Sequence, residues 1–192
     1  MPVATLDPFP LPPLIAALDD DSPIRLTHQD PRWRQEFEQT RSGVLQSCEG
    51  RVTQIEHIGG TALPGCISRP VIDLIAGSLD PVELDEAADR IEGLYFRRLP
   101  APEWAGDAIR LVKPRGGEAT HQLFLMPIGC AAWNQSIRLR DAFRSSPEKL
   151  VRFEESKVAL WKRCEGRPAD YESGKRLVFA HFIDQLGIGT ED

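Results

Sequence analysis

A chain of 192 residues, 27% charged and 41% hydrophobic, can bury a sizeable core as one domain with a helical extension. Its formal net charge of −6 counts against sequence-independent nucleic-acid binding, which needs a basic face. No window of about eighteen uncharged apolar residues is present, which counts against a transmembrane helix.

Residues 1–23 hold six of the sixteen prolines and run into Asp19-Asp20-Asp21, a composition that reads as an irregular N-terminal extension dispensable for folding. No Lys or Arg precedes Arg25, so the segment does not read as a secretory signal. Ile24 to Thr27 suggests a short strand. Asp30-Pro31 then supplies an N-cap and a proline at the first helical position, and Trp33, Phe37, Thr40 and Val44 fall on one face of the helix that follows. Strands are predicted at 52–58, 70–76, 94–99, 108–113 and 119–126, with a helix at 81–92 between the second and third. Arg115-Gly116-Gly117-Glu118 predicts a hairpin turn between the last two. From residue 131 the period becomes helical, and helices are predicted over 131–144, 147–164 and 168–186, the last two opened by Pro147 and Pro168. Phe153 with Trp161, and Val178 with Phe182 and Leu186, mark their apolar stripes. The fold class is therefore α/β (α+β): a small mixed sheet, 24–126, with a C-terminal helical layer, 131–187. Cys48, Cys66, Cys130 and Cys164 are scattered without paired spacing, the pattern of reduced thiols in a cytoplasmic protein.

The most informative stretch is 54–76. An apolar run enters the turn Gly59-Gly60-Thr61, and after a short connection ending at Arg69-Pro70 the chain continues as Val71-Ile72-Asp73-Leu74-Ile75. Glycines let backbone N–H groups come close to an anion because no Cβ intervenes. A single acid within an apolar strand is costly unless it binds a metal, a donor or a ligand. The combination suggests a phosphate-cradling turn beside a metal-binding carboxylate.

The segment Glu56-His57-Ile58-Gly59-Gly60-Thr61-Ala62-Leu63-Pro64-Gly65, followed by Arg69-Pro70-Val71-Ile72-Asp73, resembles the signature of the GrpB family, within the nucleotidyltransferase superfamily. Asp30-Pro31-Arg32-Trp33 upstream, and His121-Gln122-Leu123, Leu139-Arg140-Asp141, Tyr171 and Lys175 downstream, extend the resemblance over roughly 24–187. It implies a sheet of nucleotidyltransferase type. It also implies a bound nucleotide or other phosphorylated small molecule with Mg²⁺. His57, Gly59, Gly60, Thr61, Arg69, Arg140 and Lys175 would then contact the nucleotide, Asp73 would hold the metal, and Asp73 with His121 would be catalytic.

Two departures, one from the superfamily pattern and one from that of GrpB-like sequences, divide the functional reading. Residue 75 shares a strand face with Asp73 and is Ile where a second metal-binding carboxylate is expected. Residue 124 is Phe where related sequences carry a second His. One reading is transfer of a nucleotidyl group to a hydroxyl or phosphate acceptor. The other is a binding module that keeps the pocket without catalysis. A carboxylate such as Glu56 beside Asp73 would favour the first.

Overall fold

The computed structural model describes residues 23–102, 105–114 and 118–188. The expected N-terminal extension, apart from Pro23, and the glycines of the expected hairpin turn lie outside the described residues. The first helix, α1, spans Arg32–Cys48. Pro31 has helical dihedrals just before it, and the Asp30 carboxylate accepts the Arg32 N–H at 2.9 Å, the capping that Asp-Pro predicts. The helix ends at Glu49, whose left-handed φ of 51° stops further i to i−4 bonding.

Five strands follow: β1 (Gln54–Ile58), β2 (Ile72–Ser78), β3 (Arg97–Leu99), β4 (Ile109–Lys113) and β5 (His121–Pro127). They lie in the order β1-β2-β5-β4-β3. Only β2 and β5 are parallel; β1–β2, β4–β5 and β3–β4 are antiparallel. Between β2 and β3 the chain makes a single-turn helix at Pro81–Glu83 and then helix α2, Leu84–Glu92. Three more helices complete the fold: α3 (Ala131–Ser145), α4 (Pro147–Arg163) and α5 (Pro168–Leu186).

Two expected strands are cut by half or more. The run 24–27 makes only one bridge, Thr27 to Ser68, because Ile24 N–H is taken by the carbonyl of Gly166 in the α4–α5 turn. The third strand begins at Arg97 because Tyr95 adopts φ 71°, which a paired strand cannot accommodate.

Alternation along the strands splits the core into two layers. Ile55, Ile72, Leu74, Ala76, Leu111, Leu123 and Leu125 pack on Trp33, Phe37 and Val44 of α1 and on Leu84, Ala87, Ala88 and Ile91 of α2. Ile58, Ile75, Phe124 and Met126 face the opposite way, onto Trp133, Leu139 and Phe143 of α3, Phe153 of α4 and Phe179 and Phe182 of α5. Phe153 anchors this helical layer, with its ring centroid 4.6 Å from that of Phe143, 4.8 Å from Phe179 and 5.5 Å from Phe182. Among the described residues no helix is long and apolar enough to cross a membrane.

Candidate functional site

Strand register brings the two halves of the 54–76 motif together. Ile58 pairs with Asp73 across β1–β2, and Asp73 pairs with Gln122 across β2–β5. These three residues form one row on the face toward the helical layer. The next row contains Glu56, Ile75, Phe124 and Arg110.

The glycine turn closes directly on Asp73. Gly59 has φ 76°, and a Cβ added there would lie 2.4 Å from Asp73 Oδ2, so only glycine admits the carboxylate. Behind Asp73 runs a hydrogen-bonded chain: Gln122 Nε2 donates to Asp73 Oδ1 at 3.1 Å, and Arg110 Nε donates to Gln122 Oε1 at 2.8 Å. Arg110 also donates from Nη1 to the Pro100 carbonyl at 3.3 Å. Arg110 and Gln122 are 4% and 2% exposed, so this chain fixes the Asp73 carboxylate from the inside of the fold.

Gly60 opens the short helical turn Gly60–Ala62. A Cβ on it would lie 2.0 Å from Ser68 Oγ and 3.4 Å from Lys157 Nζ. Lys157, on α4, is 4% exposed. Its ammonium donates to the Ile67 carbonyl at 2.7 Å and contacts Cys66 Sγ at 3.3 Å and Ser68 Oγ at 3.4 Å. Glu154, one turn earlier, accepts the Ile67 N–H at 2.7 Å. The 66–68 loop is thus clamped to α4 through both polar groups of one peptide position. A buried ammonium lies just under the turn, and among the described residues no carboxylate contacts it.

Thr61 is turned inward. Its hydroxyl donates to the Val71 carbonyl at 3.2 Å, so it accepts from His57 Nε2 at 2.9 Å. His57 lies on the α1 side of β1, stacked on Phe37 with 4.6 Å between centroids. Burial, with smaller contributions from Arg144, Arg140 and His121, pushes its pKa down to about 3, so the ring is neutral. Both groups join the turn to its strands.

Arg140, from α3, is committed to the scaffold. Its guanidinium reaches Glu56 Oε2 at 2.5 Å, Asp141 Oδ1 at 2.8 Å and the His57 carbonyl at 3.1 Å. Burial works against its charge, but the Asp141 and Glu56 hydrogen bonds outweigh this and raise its pKa. Glu56 therefore sits opposite Ile75 with its carboxylate held by Arg140, and it does not share the row of Asp73. One turn on, Arg144 donates twice to the Ala62 carbonyl, at 3.2 and 3.0 Å, tying the end of the glycine turn to α3.

The remaining expected residues are dispersed. Arg69 is half-buried on the loop before β2. Lys175 is buried on α5, 5.9 Å from the Tyr171 ring centroid. His121 belongs to the other face of the sheet: Gln122, not His121, is level with Asp73, and successive side chains point opposite ways. Asp73 and His121, both expected at the catalytic site, are therefore not brought together: β5 stands between them.

Ile75 and Phe124 are both fully buried, and the described residues contain no group of three or more His, Cys, Asp or Glu able to hold a metal. The residues around Asp73 thus do not fit a two-metal centre, which needs a second carboxylate where Ile75 stands.

The GrpB protein family model matches residues 23–185. The chain belongs to the GrpB family. It is 27% identical over 174 residues to a UPF0157 protein of Pseudomonas aeruginosa, covering 89% of this chain and 71% of that one. It is 26% identical to a UPF0157 protein of Streptomyces coelicolor, covering 85% and 84%. Against the glutamate-rich protein GrpB of Alkalihalophilus pseudofirmus it is 24% identical, covering 85% and 92%. The crystal structure of the conserved protein GrpB from Enterococcus faecalis has the same fold, with a TM-score of 0.69 over 82% of this chain and 99% of that one at 17% identity.

Of the residues that build this GrpB site, sequence reasoning missed Gln122 as the partner of Asp73 and missed Lys157 altogether. Lys157 did leave a signal: it lies four residues after Phe153, on the stripe that α4 buries.

Proposed function

We propose that the sheet face around Gly59 and Asp73 binds a nucleotide or another phosphorylated small molecule without two-metal nucleotidyl transfer. The observation that carries this reading is the contact between the turn and the acid. The space of an absent Gly59 Cβ is filled by the Asp73 carboxylate, so the turn and the acid are close enough to share one cation carried in by a phosphate, which would offset the repulsion between the two anions. The Lys157 ammonium, adjacent to Gly60, adds positive potential where a phosphate would lie against the turn. Asp73 is suited to a single contact, with an Mg²⁺ brought in by the ligand's own phosphates, as the family resemblance implies. Ile75 is buried at the second metal position, and Glu56 is held by Arg140.

A thermal-shift screen tests the reading. Nucleoside triphosphates, nucleoside monophosphates and sugar phosphates are compared, each with and without Mg²⁺. A ligand at a hundredfold excess over its Kd stabilises by about 2.7 kcal/mol, a rise of several degrees for a domain of this size. A rise that needs a phosphate and is lost in Asp73→Asn supports the proposal. No rise with any phosphorylated compound overturns it.

A further inference from the structure

His121 finds no use on the Asp73 face, and its surroundings on the opposite face form a site of their own. A groove of about 400 Å³ lies between α1, the segment Gly93–Phe96 and the ends of β4 and β5. Glu36 and Thr40 line it from α1, Tyr95 and Phe96 form an aromatic wall, and Lys113 and His121 close it from the sheet.

The His121 ring is 8% exposed. The Thr120 hydroxyl donates to the Lys113 carbonyl at 3.3 Å, so at 2.9 Å it accepts the N–H of His121 Nδ1. That assignment leaves Nε2 as a bare acceptor, and Nε2 is buried without a hydrogen-bond partner. Such an atom calls for a donor, since buried polar groups are almost always paired. Burial and the nearby Lys113 charge lower the His121 pKa to about 4, so Nε2 stays unprotonated near neutrality. The groove also offers one charge of each sign. Among the described residues neither Glu36 nor Lys113 has an opposite charge within ion-pair distance, Arg32 acting on Glu36 only from farther off, and the Lys113 ammonium stands 5.7 Å from the Phe96 ring centroid.

We propose that this groove is a second binding site, for a small zwitterion of the amino-acid class. The ligand ammonium donates to His121 Nε2 and to Glu36, its carboxylate accepts from Lys113, and its side chain rests on Tyr95 and Phe96. The site is separated from Asp73 by the sheet and does not depend on the phosphorylated-ligand reading.

The test uses the full chain with ¹⁵N-labelled histidine and two-dimensional ¹H–¹⁵N correlation of the ring nitrogens. Each common L-amino acid is added at millimolar concentration, with acetate and methylamine as the two halves of a zwitterion. At least one amino acid is expected to move the His121 Nε2 resonance more than either half does. Lys113→Met and Glu36→Gln, both on partly exposed side chains, are each expected to weaken that binding about tenfold or more. If no amino acid moves His121 Nε2, or if the binding is unchanged in both variants, the proposal is overturned.

Discussion

Two adjacent rows of one sheet face have opposite characters. In the row Ile58–Asp73–Gln122 the centre is polar, and it is polar because a buried guanidinium, Arg110, holds Gln122, which holds Asp73. In the row Glu56–Ile75–Phe124–Arg110 the centre is apolar and fully buried, and the charges stand at its ends. The difference shows how a sheet can keep one anchored carboxylate while giving the position two residues along to the core. A single carboxylate can be satisfied by an amide and a guanidinium; two adjacent ones would need metal or proton to relieve their repulsion. The glycine turn belongs wholly to the first row, since only Gly59 lets Asp73 approach it.

The largest predicted effect comes from making the rows alike. Ile75→Asp would put a charge among Phe124, Leu139 and their neighbours and should cost about 4 kcal/mol or more, read as a collapse of the urea midpoint. A folded Ile75→Asp protein that gained Mn²⁺-dependent nucleotidyl turnover would erase the distinction between the rows.

Gly59→Ala should come next. It adds a left-handed strain and a clash with the Asp73 carboxylate, together about 2–4 kcal/mol. Thermal unfolding measures it, and a change below about 0.5 kcal/mol would mean that turn and acid do not touch.

The apolar row can be tested at its charged end. Arg140→Leu leaves Glu56 without its partner and should destabilise by about 2–3 kcal/mol, less than for a fully buried pair because Glu56 is partly exposed. In the Glu56→Gln background the same substitution should cost at least ~0.5 kcal/mol less. Strict additivity would show that the pair is not coupled.

The smallest effect concerns the other face of the sheet, where His57 and His121 are neutral. Both have pKa values below the ordinary 6.5, at about 3 and about 4. The unfolded chain therefore takes up protons that the folded chain refuses, and stability present above pH 6.5 falls as pH drops toward 4. At pH 5 each ring should cost about 2 kcal/mol relative to neutrality. His121→Asn should flatten the loss between pH 7 and pH 5, and an unchanged slope would place a charged His121 in the fold.

Much of this fold was legible because its signals are local. Pro147 and Pro168 start their helices where expected, and the apolar stripe of α1 faces α2 and the sheet. The motif Gly59-Gly60 with Asp73 was legible for the same reason: its spacing lies within one β-loop-β unit. Partnership across the sheet was not. Which residue of β5 stands beside Asp73 depends on parallel register, so Gln122 and His121 exchange roles with a shift of one residue. The commitment of Arg140 to Glu56 spans 84 positions, and the reach of Lys157 to Cys66 spans 91. Tyr95 shows a different limit, since nothing in its residue type announces a positive φ.

The central claim, binding at Asp73 without transfer, is tested most directly by ³¹P NMR of Mg²⁺-bound nucleoside triphosphates mixed with the protein. The account predicts that the phosphorus resonances of at least one triphosphate broaden or move with the wild-type chain and not with Asp73→Asn, and that the triphosphate remains intact. Equal perturbation by Asp73→Asn would contradict the role of Asp73. Steady release of pyrophosphate by the wild-type chain in the presence of an acceptor would contradict the absence of transfer.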